Sequence, residues 1–201
     1  MIKGFFNLEI LISLLIFGYL IGAVPFSLLI GKWFYKIDLR EHGSGNIGTT
    51  NTFRILGKKA GILVLIMDMM KGAVPVWTAM LINTDFHVFL PGLAAALGHV
   101  YSVFLKFRGG KAVATSAGAV LAYNPLMFAI LLSVFLLTLK TSKYVSLSSV
   151  VSAILFFILS LVFRDPLLIG LSFIIAVVIV VRHISNIKRI MDGTESKITF
   201  M

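Results

Sequence analysis

The sequence predicts an all-α, polytopic integral membrane protein with about seven transmembrane helices, organised as a single domain over residues 1–201. Mean hydropathy is +1.02 and 13% of residues are charged, whereas soluble domains carry roughly a quarter. Apolar segments recur at 7–31, 60–82, 88–105, 112–123, 125–139, 145–163 and 166–182, most of them near the roughly 20 residues that cross a hydrocarbon core. If all seven cross, 15 of the 18 Lys and Arg residues fall on one side, in 32–59, 106–111, 140–144 and the tail from Arg182. Lys3 and Arg164 fall on the other side, and Lys71 lies within a span. The positive-inside rule then puts the N-terminus outside and the C-terminus in the cytoplasm.

Taken in order, the first segment has Lys3 ahead of an apolar run from Ile10 to Val24. A signal peptide shares that form, but more spans follow and the next polar stretch is too short for a mature domain, so an uncleaved span is expected. The segment 112–123, "AVATSAGAVLAY", is short and rich in Ala, Gly, Ser and Thr, which suits a tightly packed central helix and not a lipid-exposed one. No fixed-period repeat or long linker divides the chain. The formal charge of +10 is distributed between apolar segments with no soluble domain to present it, so membrane orientation and anionic substrates explain it better than nucleic acid. With no cysteine, thiol catalysis and Cys-ligated metal are excluded, and His42, His87, His99 and His183 lack metal-ligand spacing; no metal or cofactor is expected.

The unusual polar stretches all fall on the expected cytoplasmic side. "GSGNIGTTNTFR" (43–54) spells G-x-G-x-x-G at Gly43, Gly45 and Gly48, but no strand precedes it and the P-loop ending is missing, so nucleotide binding is not expected. Its Ser44, Asn46, Thr49, Thr50, Asn51, Thr52 and Arg54 exceed what an N-capping loop uses, and the guanidinium grips phosphate with two bonds. In "FRGGKA", Gly109 and Gly110 let backbone approach a ligand at a helix start, where N–H groups and Lys111 favour an anion. Arg182 and His183 end the last apolar segment, with Asn186 near the same helical face. Asp68 and Lys71, at i, i+3 within the second segment, are functional candidates by their depth or else a self-contained ion pair one turn from the cytoplasmic end. His99, near the middle of its segment, reads as a packing hydrogen bond.

Together "GSGNIGTTNTFR", "D..KG" at Asp68 to Gly72, "LGHVYSVFLKFRGGKAVAT" and "RHISNIKRI..GTE" resemble, in order, the motifs of the bacterial membrane-integral acyl-phosphate:glycerol-3-phosphate acyltransferases, the PlsY family. One departure is Ala112, where that family usually has glycine; alanine fits the first turn of a helix. The resemblance implies a multi-pass protein of the bacterial cytoplasmic (inner) membrane, with its active site facing the cytoplasm. It implies transfer of a fatty acyl group from acyl phosphate to the sn-1 hydroxyl of glycerol 3-phosphate, giving lysophosphatidic acid and phosphate, with no obligate protein partner. On that reading Arg54, Lys111 and Arg182 bind phosphate, helped by Ser44, Gly109, Gly110 and, if the buried pair belongs to the site, Lys71. Asn46, Thr49 and Asn186 orient the hydroxyl or carbonyl oxygen. His183 is the candidate base, with the substrate phosphate as the rival. An acyl-Ser44 intermediate is disfavoured because no G-x-S-x-G elbow surrounds it. The His-x-x-x-x-Asp pair of other acyltransferases is absent, as Ile47, Gly92, Phe104 and Lys188 stand five after the four histidines. A transporter for a phosphorylated anion is the alternative, weakened by the paucity of basic residues in "NTDFH" and "FRDP".

Overall fold

The computed structural model describes residues 2–198, with side chains from Leu8 onward; Lys3, assigned above to the outer side, lies outside the described side chains. The described residues are helical and contain no strand. The helices are α1 (Ile2–Ala23), α2 (Phe26–Ile30), α3 (Thr49–Ile82), α4 (Leu90–Val100), α5 (Val113–Tyr123), α6 (Pro125–Ser142), α7 (Val145–Phe163) and α8 (Pro166–Met191). A π-helical turn at Gly31–Tyr35 continues α2, and 3-10 turns occupy Leu39–Glu41 and Val103–Leu105.

Local chemistry sets these boundaries. Pro25 disfavours helical geometry at Val24 and breaks α1 from α2. Both α6 and α8 begin with proline at the first helical position, where the missing N–H costs nothing. Asn124 accepts from the Met127 N–H at 2.9 Å, and Asp165 accepts from Leu167 and Leu168 at 2.9 and 3.2 Å. Left-handed residues Asn83, Lys143 and Arg164 close α3, α6 and α7.

Among the described residues, five stretches are long and apolar enough to cross a membrane: Leu8–Tyr35, Thr49–Ile82, Pro125–Ser142, Val145–Phe163 and Pro166–Met191. The segments 88–105 and 112–123, expected as spans of their own, hold the 11-residue helices α4 and α5. Each rises about 17 Å, little more than half the hydrocarbon thickness. Helix α4 stops because Tyr101 leaves helical geometry (φ −111, ψ 55) and Ser102 leads into the 3-10 turn. Helix α3 begins well before the apolar segment at 60: the polar run from Thr49 is already helical, with a non-helical break at Gly57 (φ 84). Hydropathy reports apolar composition, and so misses a helix that begins in a polar run.

The chain divides into two compact units, Met1–Tyr123 and Asn124–Met201. In the first, α3 packs on α5 and α1 on α4 through close backbone approach. A Cβ on Gly72 would strike the Thr115 carbonyl and one on Gly118 the Met69 carbonyl; Gly22 and Gly98 stand likewise against Ala95 and Tyr19. Small residues are the usual means of bringing membrane helices together. In the second unit α7 packs between α6 and α8, with the Ser172 hydroxyl donating to Ser160 Oγ at 2.8 Å and that of Ser152 to the Leu131 carbonyl at 3.3 Å. Gly72→Val is expected to lower stability by about 2 kcal/mol or more, because the obstructing atom is backbone and cannot swing aside. Gly170→Ala, with nothing within 4 Å of the added carbon, leaves the thermal unfolding midpoint in detergent unchanged or raised. Equal shifts for the two would contradict this packing.

Candidate active site

The polar loop before α3 is organised by one buried amide. Asn51, 1% exposed, accepts from the Ser44 N–H at 3.0 Å and donates to the carbonyls of Leu39 and His42 at 3.2 and 3.0 Å. Thr52 donates to the Gly48 carbonyl at 3.1 Å, and Ser27 to the Ile47 carbonyl at 2.6 Å. These groups hold the loop itself. Ser44 is exposed, Asn46 is half-buried, and Arg54 is exposed one turn into α3. Upstream, Arg40 grips Asp38 with two nitrogens at 2.9 and 2.6 Å and Lys32 adds a third contact at 3.0 Å. The Arg40 guanidinium, with Lys32, holds the Asp38 carboxyl well below the usual carboxylate range.

Behind this loop lies a buried charged cluster. Lys71, 2% exposed, places its Nζ 2.7 Å from Asp68, 2.8 Å from the Val24 carbonyl and 3.1 Å from His99 Nδ1. Those contacts match the three donors of an ammonium. The Phe26 ring stands 5.4 Å away, within cation–π reach. Because an ammonium cannot accept, His99 Nδ1 is the acceptor and a neutral ring carries its proton on Nε2. Thr115 Oγ1 lies 3.3 Å from the same Nδ1. Thr49 adjoins Asp68, and its buried hydroxyl completes no hydrogen bond among the described residues. A small cavity of about 10 Å³ opens here, walled by Val24, Phe26, Ile47, Asp68, Lys71 and His99. The pair therefore sits deep in α3 and is not self-contained, since it ties α3 to the α1–α2 break and to α4.

The second loop leans on the same histidine. Gly109 donates its N–H to the Val100 carbonyl at 2.9 Å and Gly110 to the His99 carbonyl at 3.0 Å. A Cβ on Gly110 would overlap His99 Nε2. The two N–H groups are thus engaged by the end of α4, and the glycines serve close approach. Lys111 follows, half-buried. Ala112 does not enter the first helical turn, as expected from its residue type, but precedes α5 with φ +57, joining Lys106 and Phe107 as left-handed residues in this loop. That conformation costs an L-residue about 1–2 kcal/mol and nothing comparable for glycine.

In the second unit, α8 carries Arg182, His183 and Asn186, the last two buried. His183 Nδ1 lies 2.8 Å from the Ile179 carbonyl, which can only accept, so Nδ1 carries the proton and Nε2 of a neutral ring is an acceptor. Beyond α8, Gly193 (φ +69) reverses the chain; its N–H bonds the Ile190 carbonyl and that of Thr194 the Arg189 carbonyl, at 3.1 and 2.8 Å. This brings Glu195 back onto the helix. Its carboxylate accepts from Asn186 Nδ2 at 2.7 Å, Ser146 Oγ at 2.8 Å and Arg189 Nε at 2.8 Å.

The structure therefore gathers Thr49, Lys71, Gly109 and Gly110 around one buried cluster in the first unit, and Asn186 around Glu195 in the second. Residue chemistry alone did not single out Glu195 or Ser146; Glu195 shares the basic tail with Asp192, and residue type does not separate the two. Burial pushes the Glu195 carboxyl up, but the bonds from Asn186, Ser146 and Arg189 outweigh it and leave the group below its ordinary value. A lowered carboxyl contributes stability that is present above the unfolded value and lost as pH falls through the folded one. The difference in thermal midpoint between the native chain and Glu195→Gln should be full at about pH 7 and shrink below about pH 4. A difference that does not change with pH would contradict this.

The chain matches the family model described as glycerol-3-phosphate acyltransferase over residues 12–193. The glycerol-3-phosphate acyltransferase of Macrococcus caseolyticus is 51% identical over 187 residues, covering 93% of this chain and 96% of the relative. That of Bacillus cytotoxicus is 53% identical, covering 93% and 94%. The crystal structure of PlsY (YgiH), an integral membrane glycerol 3-phosphate acyltransferase, in its glycerol 3-phosphate form superposes with a TM-score of 0.89 at 38% identity, covering 94% of this chain and 96% of that one. Its lysophosphatidic acid form gives 0.86 at the same identity, covering 94% and 95%. With five membrane-length helices among its described residues and these relatives along nearly its whole length, the chain belongs to the PlsY family of integral membrane glycerol-3-phosphate acyltransferases.

Proposed function

We propose that this acyltransferase takes its acyl group from acyl phosphate. The sn-1 hydroxyl oxygen of glycerol 3-phosphate attacks the acyl carbonyl carbon, the bond from that carbon to the phosphate oxygen breaks, and lysophosphatidic acid and inorganic phosphate leave. The observation that carries this reading is the state of the cations. Lys32 and Arg40 face Asp38, Lys71 faces Asp68 and Arg189 faces Glu195, whereas Arg54, like Lys58, Lys59 and Arg108, is exposed with no ion pair among the described residues, and of these it stands nearest in sequence to Ser44, Asn46 and Thr49. A phosphate supplies the missing anion in a geometry that guanidinium fits.

Arg54, Lys111 and Arg182 are assigned to substrate phosphates, with Ser44 as a further donor and Gly109 and Gly110 placing Lys111. Asn46, Thr49 and Asn186 orient the reacting oxygens; the buried Thr49 hydroxyl beside Asp68 favours such a role. His183 Nε2 takes the hydroxyl proton, since the Ile179 carbonyl leaves that nitrogen as the acceptor of a neutral ring. The family match runs across both compact units, which supports one acyltransferase domain over residues 1–201. The reading also takes all seven apolar segments as crossing the bacterial inner membrane, with the N-terminus outside, the C-terminus inside and the active site facing the cytoplasm. Protein packing around α5 allows a short helix at membrane depth. Acyl phosphate, glycerol 3-phosphate and membrane lipid are the only partners proposed.

Phosphate release by the purified protein in detergent tests the donor. Release from acyl phosphate that requires glycerol 3-phosphate and yields lysophosphatidic acid, with acyl-CoA inert, is expected; equal use of acyl-CoA would overturn the proposal. Arg54→Ala should raise KM for glycerol 3-phosphate about tenfold or more, while His183→Ala should lower kcat by about 10²–10⁴.

A further inference from the structure

The reaction as assigned leaves Asp68, Lys71 and His99 without a chemical part, although charges at membrane depth cost about 2.5–3.5 kcal/mol each on insertion scales. Their contacts lead to the two loops that the reaction uses. In one direction His99 carries the second loop: its carbonyl accepts from Gly110, and its ring, held by Lys71 and Thr115 through Nδ1, fills the space that a side chain at 110 would need. In the other direction Lys71 bonds the Val24 carbonyl at the break between α1 and α2, from which Ser27 reaches the Ile47 carbonyl of the first loop. Asp68 adjoins Thr49, where that same loop enters α3.

We infer that Asp68, Lys71 and His99 form a positioning cluster that fixes the Gly109–Lys111 loop, and with it the Lys111 ammonium, against the Ser44–Thr49 loop, without touching substrate. This rests on the assignment of Lys111 to a substrate phosphate. Lys71, grouped by sequence with the phosphate ligands, directs its three donors to Asp68, Val24 and His99 instead. A cluster needed only to fill space has a simpler solution in apolar residues, which replace buried ion pairs at little cost. The breaking of α1 by Pro25 gives the competing account. Its freed carbonyls need donors, and Ser102 Oγ meets Ala23 at 2.6 Å just as Lys71 meets Val24. On that account the cluster supports stability and has no selective effect on the acceptor.

Initial rates with acyl phosphate and varied glycerol 3-phosphate separate the two. In the paired variant Asp68→Asn/Lys71→Met, chosen so that neither charge is left alone, positioning predicts KM for glycerol 3-phosphate raised about tenfold with kcat within about threefold. Gly110→Ala should raise KM comparably, because its Cβ displaces the His99 ring. Adding His99→Asn to Gly110→Ala should restore most of the loss, since asparagine keeps an acceptor near the Nδ1 position and vacates the Nε2 space. An unchanged KM in the folded paired variant overturns the inference, and so does a Gly110→Ala defect that His99→Asn fails to relieve. If the paired variant does not fold, the 99/110 cycle decides alone. Lys111→Ala distinguishes the underlying reading: an unchanged KM there refutes the phosphate assignment, whereas a raised KM there beside an unchanged paired variant refutes positioning only.

Discussion

The ammonium of Lys71 is the contact on which the first unit depends. Pro25 interrupts the first helix and frees carbonyls from the helical ladder, and a buried carbonyl without a donor costs about 1–3 kcal/mol. Lys71 answers one of them, reaching from α3, while its charge is met by Asp68 and its third donor by His99. One side chain thus joins α3 to α4 and to the break between α1 and α2. The glycine contacts between α3 and α5 then place Thr115 beside the same histidine.

The second unit follows the same principle with its own carboxylate. Glu195 collects Ser146 from α7 and Asn186 and Arg189 from α8, after the Gly193 turn folds the chain back. With its amide nitrogen bound to Glu195, Asn186 presents its Oδ1 in a fixed orientation, as an orienting group requires. Across the chain, carboxylates hold Lys32, Arg40, Lys71 and Arg189. The contrast between those cations and Arg54 connects the electrostatics to the proposed chemistry.

Much of this was legible in the residues. The segment 145–163 coincides with α7, and those starting at 125 and 166 coincide with the starts of α6 and α8, because proline after a capping Asn or Asp marks a helix start as clearly as hydropathy does. The polar run at 43–54 stood out as more than a cap. Its division was not legible: the roles of Asn51 and Thr52 in holding the loop depend on carbonyls of Leu39, His42 and Gly48, which residue types do not reveal. Asp68 and Lys71 were visible as a pair by their spacing. Their link to His99 was not, since it arises only when α4 is laid against α3. Ala112 shows the opposite failure. Alanine is a good helix former, yet the sharp approach of the second loop to α4 puts it in a left-handed conformation that propensity opposes.

If the buried cluster acts on the acceptor through Lys111, the effects of disturbing the two should not multiply. The most direct test is a thermodynamic cycle on KM for glycerol 3-phosphate, combining Asp68→Asn/Lys71→Met with Lys111→Ala. The account predicts that the combined variant stays within about twofold of Lys111→Ala alone, because a loop that no longer carries the ammonium has nothing left to misplace. Fold-changes that multiply across the cycle would mean that the cluster and Lys111 contribute independently, and would contradict it.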